Sequence, residues 1–85
     1  MQLNIYRYSF KAICPVDQAT IEYSLQIETD AVVKAESIVG ECTFDQPVFH
    51  EDIADRLLKS LGGKQTLIAV HTGVEIETRR ATDAS

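Results

Sequence analysis

Thr20-Ile21-Glu22-Tyr23-Ser24-Leu25-Gln26-Ile27-Glu28 is the stretch that decides the fold. Ile21, Tyr23, Leu25 and Ile27 alternate without a break with polar residues, the period of a strand with one face in a core and the other in water. Upstream, Tyr6, Tyr8, Phe10, Ala12 and Cys14 fall on one face, with Arg7, Ser9 and Lys11 on the other. Pro15-Val16-Asp17-Gln18 separates the two runs. Pro15 drives Cys14 out of the helical region, and Asp17 is a natural turn residue. Residues 3–14 and 19–28 therefore read as an antiparallel hairpin.

Downstream the period changes. Thr29 or Asp30 can cap a short helix through Lys34-Ala35-Glu36-Ser37-Ile38-Val39, ending near Gly40. Residues 41–47, with Asp45 and Pro47, read as a loop. From Phe49 to Leu61 the helical pattern is strong: Ile53, Ala54, Leu57, Leu58 and Leu61 form one apolar stripe. Asp52–Arg56 and Asp55–Lys59 are expected as i,i+4 pairs on its wet side. Gly62-Gly63 supplies a left-handed stop. Gln65 to His71 is an apolar run of strand length. Thr72-Gly73 then makes a tight connection to a strand in which Val74, Ile76 and Thr78 alternate with Glu75, Glu77 and Arg79. The order is strand-strand-helix-helix-strand-strand, an α+β two-layer sandwich with a four-stranded antiparallel sheet and both helices on one face. A single domain is expected over residues 1–80, with 81–85 as a flexible tail. Two open sheet edges invite extension between chains, so a homo-oligomer is expected.

Composition limits the function classes. The 85 residues carry 8 Lys+Arg against 13 Asp+Glu, a net charge of −5, without a basic cluster. That argues against nucleic acid or an anionic membrane as the partner. Two cysteines are too few for a secreted disulfide scaffold, and no apolar run is long enough to span a bilayer. A cytoplasmic setting with reduced thiols is expected.

Few residues can carry chemistry. Cys14 stands at a strand end beside a turn, with Asp17 three positions on. It is either a small core hydrophobe continuing the Tyr8–Phe10–Ala12 face, or a nucleophile with a proton-handling neighbour. Glu51 and Asp52 in the first turn of the strong helix complement its dipole. Alternatively Glu51, nearer the sheet rim, accepts the paired N–H groups of a guanine- or pterin-like ring. Cys14, Cys42, His50 and His71 lack the paired spacing of a zinc set, so no metal is expected.

Cys14-Pro15-Val16, then Asp17, then Ala19-Thr20-Ile21 with Tyr23 two residues later, resembles the catalytic segment of the 7-cyano-7-deazaguanine nitrile reductases. These belong to the tunnelling-fold (T-fold) superfamily, with GTP cyclohydrolase I and pyruvoyltetrahydropterin synthase. Phe49-His50-Glu51-Asp52 is similar to the family's Phe-His-Glu helix start, and Val33-Lys34-Ala35-Glu36-Ser37 is a looser likeness of its Val-Glu-Ser segment. The family's unit is two strands, two helices and two strands, assembled into barrels that bind purine- or pterin-like rings. The resemblance implies Cys14 as nucleophile toward a nitrile, Asp17 as its acid partner, Glu51 as ring anchor and His50 as a further substrate contact. A true reductase would use NADPH. The family's Ser-Phe-Arg-Asn cofactor stretch is here Cys42-Thr43-Phe44-Asp45, without the Arg, and Asp17 follows Val16 directly. Some relatives add a nitrogen nucleophile to the nitrile without a reductant. The alternative is a non-catalytic, oligomerising T-fold protein in which Cys14 and Glu51 are structural.

Overall fold

The computed structural model describes residues 2–82. Strand β1 (Asn4–Ile13) and strand β2 (Thr20–Thr29) form the first hairpin. Helices α1 (Ala35–Glu41) and α2 (His50–Leu61) follow, and strands β3 (Lys64–His71) and β4 (Val74–Ala81) close the chain. The sheet runs β1-β2-β3-β4 with every neighbouring pair antiparallel. This is the α+β arrangement expected from the two alternating hairpins and the stripe between them. Among the described residues no helix is long and apolar enough to cross a membrane.

The register explains why one face is dry. Phe10 lies opposite Tyr23, and Tyr23 opposite Ala69; Tyr8 lies opposite Leu25, and Leu25 opposite Leu67. These rows put aromatic and branched side chains side by side, with Phe10 and Tyr23 stacked at 5.2 Å between ring centres. Helix α2 closes over them by burying Ile53, Ala54 and Leu57, whereas the shorter α1 buries only Ile38. The stretch of Gly62 and Gly63 that stops α2 has positive φ at both residues. At Gly63 there is a second reason for glycine: a Cβ would stand 2.8 Å from the Glu28 carbonyl oxygen. The buried amide of Gln65 then ties helix to sheet, its Nε2 donating to the Leu57 carbonyl at 2.9 Å and the Gly62 carbonyl at 2.7 Å.

Four local expectations are corrected. Neither Thr29 nor Asp30 caps α1. Strand β2 runs through Thr29, whose hydroxyl accepts the Ala31 N–H at 3.1 Å, and the helix begins later after Lys34 with no side-chain cap. The i,i+4 pairs on α2 give way to partners distant in sequence: Arg56 reaches Glu41 and Asp55 reaches Arg80. Val74 and Ile76 do not join the core as Thr78 does, because α2 packs toward the other end of β4. Finally, the tail expected over 81–85 does not take in Ala81 and Thr82. Ala81 pairs with Lys64, and the Thr82 N–H donates to the Gly63 carbonyl at 3.1 Å. Pairing with β3 holds these residues despite their lack of apolar periodicity. The expected tail at 83–85 lies outside the described residues.

Candidate active site

Strand parity brings the first reactive group to one end of the sheet. Cys14 lies two residues beyond Ala12, and His71 two beyond Ala69, so both continue the helix-covered face. The turn between β1 and β2 fixes the third group. The Cys14 N–H donates to the Ala19 carbonyl at 2.9 Å, and the Gln18 N–H to the Cys14 carbonyl at 3.0 Å. Gln18 takes the left-handed conformation, φ 63°, to close the turn. Asp17 Oδ1 accepts the Ala19 N–H at 3.1 Å, which aims the other carboxylate oxygen back across the sheet end. There Oδ2 accepts from His71 Nε2 at 2.9 Å. The Cys14 sulfur, an Asp17 oxygen and a His71 nitrogen all lie within 4.8 Å of one another.

Behind this cluster is an apolar cavity of about 270 Å³, whose walls include Cys14, Ile21, Tyr23, Val48, His50 and His71. His50 reaches it because the loop before α2 is pinned to the end of β1: the Val48 N–H donates to the Ile13 carbonyl at 3.0 Å. Its Nε2 shares a hydrogen with the Thr78 hydroxyl at 2.7 Å, and its ring tilts against Tyr23 at 5.5 Å between centres. The other ring nitrogen, Nδ1, is buried without a partner among the described residues.

The electrostatics follow from these contacts. The Ala19 amide, and next the His71 ring, hold the Asp17 carboxyl below the usual carboxylate range. Burial holds the His50 imidazole below its ordinary value, favouring the neutral ring. Burial likewise raises the Tyr23 phenol, and a charge on Cys14 would raise it further. Cys42 is a different case. It caps the end of α1, away from the cavity, and burial with Glu41 nearby pushes its thiol up to about 11.

Of the residues expected to act, Cys14 and His50 line the cavity, and Asp17 stands beside Cys14 and His71 at its mouth. Glu51 does not line that cavity. Its side chain is 67% exposed, and its Oε2 accepts from Arg80 Nη2 at 2.7 Å. Arg80 also donates to Asp55 at 3.3 Å, so one guanidinium spans two carboxylates of α2. Cys14, Cys42, His50 and His71 do not assemble as a set, since Cys42 lies elsewhere, but His71 does join Cys14. In the sequence His71 stands out as a strand-end residue and as one of four dispersed metal-type side chains, with nothing to pair it with Asp17. The signal that places it is its parity with Ala69; its pairing with Asp17, 54 residues away, has no local trace. Thr78, the partner of His50, was likewise legible only as an inward-facing position.

A nicotinamide phosphate has no evident cradle in residues 42–45. Cys42 is buried, Asp45 presents an exposed carboxylate, and the nearby guanidinium is already engaged. Arg56 lies 4.8 Å from the Phe44 ring centre and 3.4 Å from Glu41. The residues do not fit that cofactor.

Comparison with known proteins agrees with the layout. No protein-family model and no curated protein matches the chain. Among solved structures, the apo form of the archaeosine synthase QueF-Like superposes with a TM-score of 0.75 at 20% identity, covering 92% of this chain and 90% of that one. The chain thus has the β-β-α-α-β-β architecture of a T-fold unit, the same fold as that synthase.

Proposed function

We propose that the protein is a T-fold enzyme that adds a nitrogen nucleophile to the nitrile of a deazapurine-like ring, with Cys14 as the attacking group. The observation that carries this reading is the thiol–carboxylate–imidazole cluster at the mouth of an apolar cavity. The fold shared with an archaeosine synthase supports a substrate of the deazaguanine class. In the first step the Cys14 sulfur bonds to the nitrile carbon as one C–N π bond opens. The thiol proton passes to the Asp17–His71 pair and on to the nitrile nitrogen, leaving a thioimidate. An amine then adds to the same carbon. The C–S bond breaks, the sulfur recovers a proton from the amine nitrogen, and an amidine leaves. Nothing is oxidised or reduced, and the chemistry needs no nicotinamide.

His50 supplies a buried ring nitrogen free to meet the substrate, and Tyr23 an aromatic wall. Glu51, outside the Cys14 cavity of its own chain, takes the ring-anchoring role for a ring held where a neighbouring copy of the chain meets it, exchanging the Arg80 guanidinium for the paired N–H groups of the ligand. The open edges of β1 and β4 support a homo-oligomer built by sheet extension.

The test is intact-mass analysis after incubation with 7-cyano-7-deazaguanine. The expected product is an adduct equal to the mass of one nitrile, absent from Cys14→Ala and discharged by ammonia. No adduct at saturating nitrile would reject the nucleophile. Glu51→Gln reads the anchor separately: ring affinity should fall about ten- to a hundredfold, the worth of a charge-assisted bond. Its melting temperature should barely move, because the ion pair it removes is exposed.

A further inference from the structure

We propose that Cys14, Asp17 and His71 bind one divalent transition-metal ion of the zinc class, with its fourth coordination position open to the cavity. The ligand set supports the ion type. A thiolate sulfur, an imidazole nitrogen and one carboxylate oxygen suit Zn²⁺ or Co²⁺, whereas Mg²⁺ and Ca²⁺ require a shell of oxygens. Three protein ligands with one position open is also the arrangement of zinc sites that take an outside ligand, as against closed structural sites.

The geometry needs little adjustment. Around a tetrahedral zinc ion, with bonds of about 2.0–2.3 Å, donor atoms stand roughly 3.3–3.6 Å apart. Here the three donors lie within 4.8 Å, with the Asp17–His71 pair at 2.9 Å. An ion between them would spread that pair slightly and draw the sulfur in, movements within reach of side-chain rotation. The backbone is already set. Two hydrogen bonds across the Cys14–Ala19 turn, and a third from the Ala19 amide to Asp17, hold two of the ligands before any ion arrives. His71 is fixed separately by the β3 ladder and the tight Thr72-Gly73 turn, where Thr72 and Gly73 have φ of 55° and 76°. Ligands anchored on independent rigid elements favour affinity because little is ordered on binding.

The site stands on these three side chains and does not depend on the nitrile chemistry. Because both use one sulfur, ion and nitrile should exclude each other. Zinc-class ions would then hold the thiol in a protected state until a chelator removes them.

The experiment is a Co²⁺ titration of the reduced, metal-free full chain. One ion per chain is expected, with thiolate-to-cobalt charge-transfer absorption in the near ultraviolet and the visible bands of four-coordinate cobalt, both bleached by Zn²⁺. Cys14→Ser should abolish the charge-transfer band, and Cys42→Ser should leave it intact. His71→Ala should weaken binding at least about tenfold, since even indirect supports of metal ligands are worth that much. Zn²⁺ should raise the melting temperature of the wild type and not of His71→Ala, a variant at a half-buried strand end whose folding can be checked by its melt. No saturable binding below about millimolar Co²⁺, or a charge-transfer band that survives Cys14→Ser, would overturn the site. The adduct assay on metal-free protein reads the nitrile chemistry independently. An adduct without a cobalt spectrum removes the metal site alone; a cobalt spectrum without an adduct removes the nitrile reading alone.

Discussion

Cys14 and Cys42 are both free thiols, and both are buried, at 8% and 3% exposure. Their surroundings differ completely. Cys42 closes the end of α1, its amide donating to the Ile38 carbonyl, with Glu41 and Arg56 as its charged neighbours. Cys14 ends a strand beside a carboxylate, an imidazole and a cavity. Burial alone therefore does not decide whether a cysteine packs or reacts. The polar partners set by the adjoining turn do.

Alkylation gives the largest expected contrast. With its thiol near 11, Cys42 is thiolate to about one part in a thousand at pH 8. Iodoacetamide on the native chain should label Cys14 at least about a hundredfold faster, read by peptide mass mapping. Equal, slow labelling of the two would erase the difference between the regions. Next comes the carboxylate. Asp17→Asn removes the carboxylate that, with His71, takes up the thiol proton, so labelling of Cys14 should slow about a hundredfold while Cys42 is unaffected. An unchanged rate would mean that Asp17 shapes the turn and does nothing for the thiol.

Stability should sort the cysteines in the opposite order. Cys42→Ser buries a hydroxyl among apolar neighbours and should cost about 1–3 kcal/mol in denaturant melts. Cys14→Ser leaves a hydroxyl that Asp17 can accept from, and should cost less than about 1 kcal/mol. Similar losses at both positions would count against the polar character of the Cys14 end. The smallest effect belongs to His50, on the far wall of the same cavity. Its folded-state value lies below the ordinary 6.5, so the unfolded chain takes up the proton first. The stability it contributes is present in full above pH 6.5 and is lost as pH falls through the lower folded value. A melting series from pH 8 to 5 should show this loss, reduced in His50→Gln.

The sheet was legible because Ile21, Tyr23, Leu25 and Ile27 alternate without interruption, and parity alone carried Cys14 onto the buried face. Helix α2 was legible for the same kind of reason, its stripe being five apolar residues deep. The site was legible only where its parts are close in sequence. Asp17 and Cys14 share one turn, but His71 joins them across 54 residues and Arg80 reaches Glu51 across 29. Side-chain pairs of that separation leave no periodic trace. The same limit explains Arg80 and Ala81, where a polar sequence is held as strand by its neighbour's backbone rather than by its own burial.

The Gln65 amide, shared between the Leu57 and Gly62 carbonyls, bears on how the molecule opens. Lifting the end of α2 from β3 would strand a buried amide at a cost of about 1–3 kcal/mol, so the two elements gain little by separating. Backbone amides in the last turn of α2 and in the first half of β3 should exchange with deuterium through one common opening, with matched protection. The first hairpin is held to the other end of α2, through the Val48 N–H that donates to the Ile13 carbonyl. Its turn, with Cys14 and Asp17, should therefore exchange through an opening separate from the one that the Gln65 amide governs.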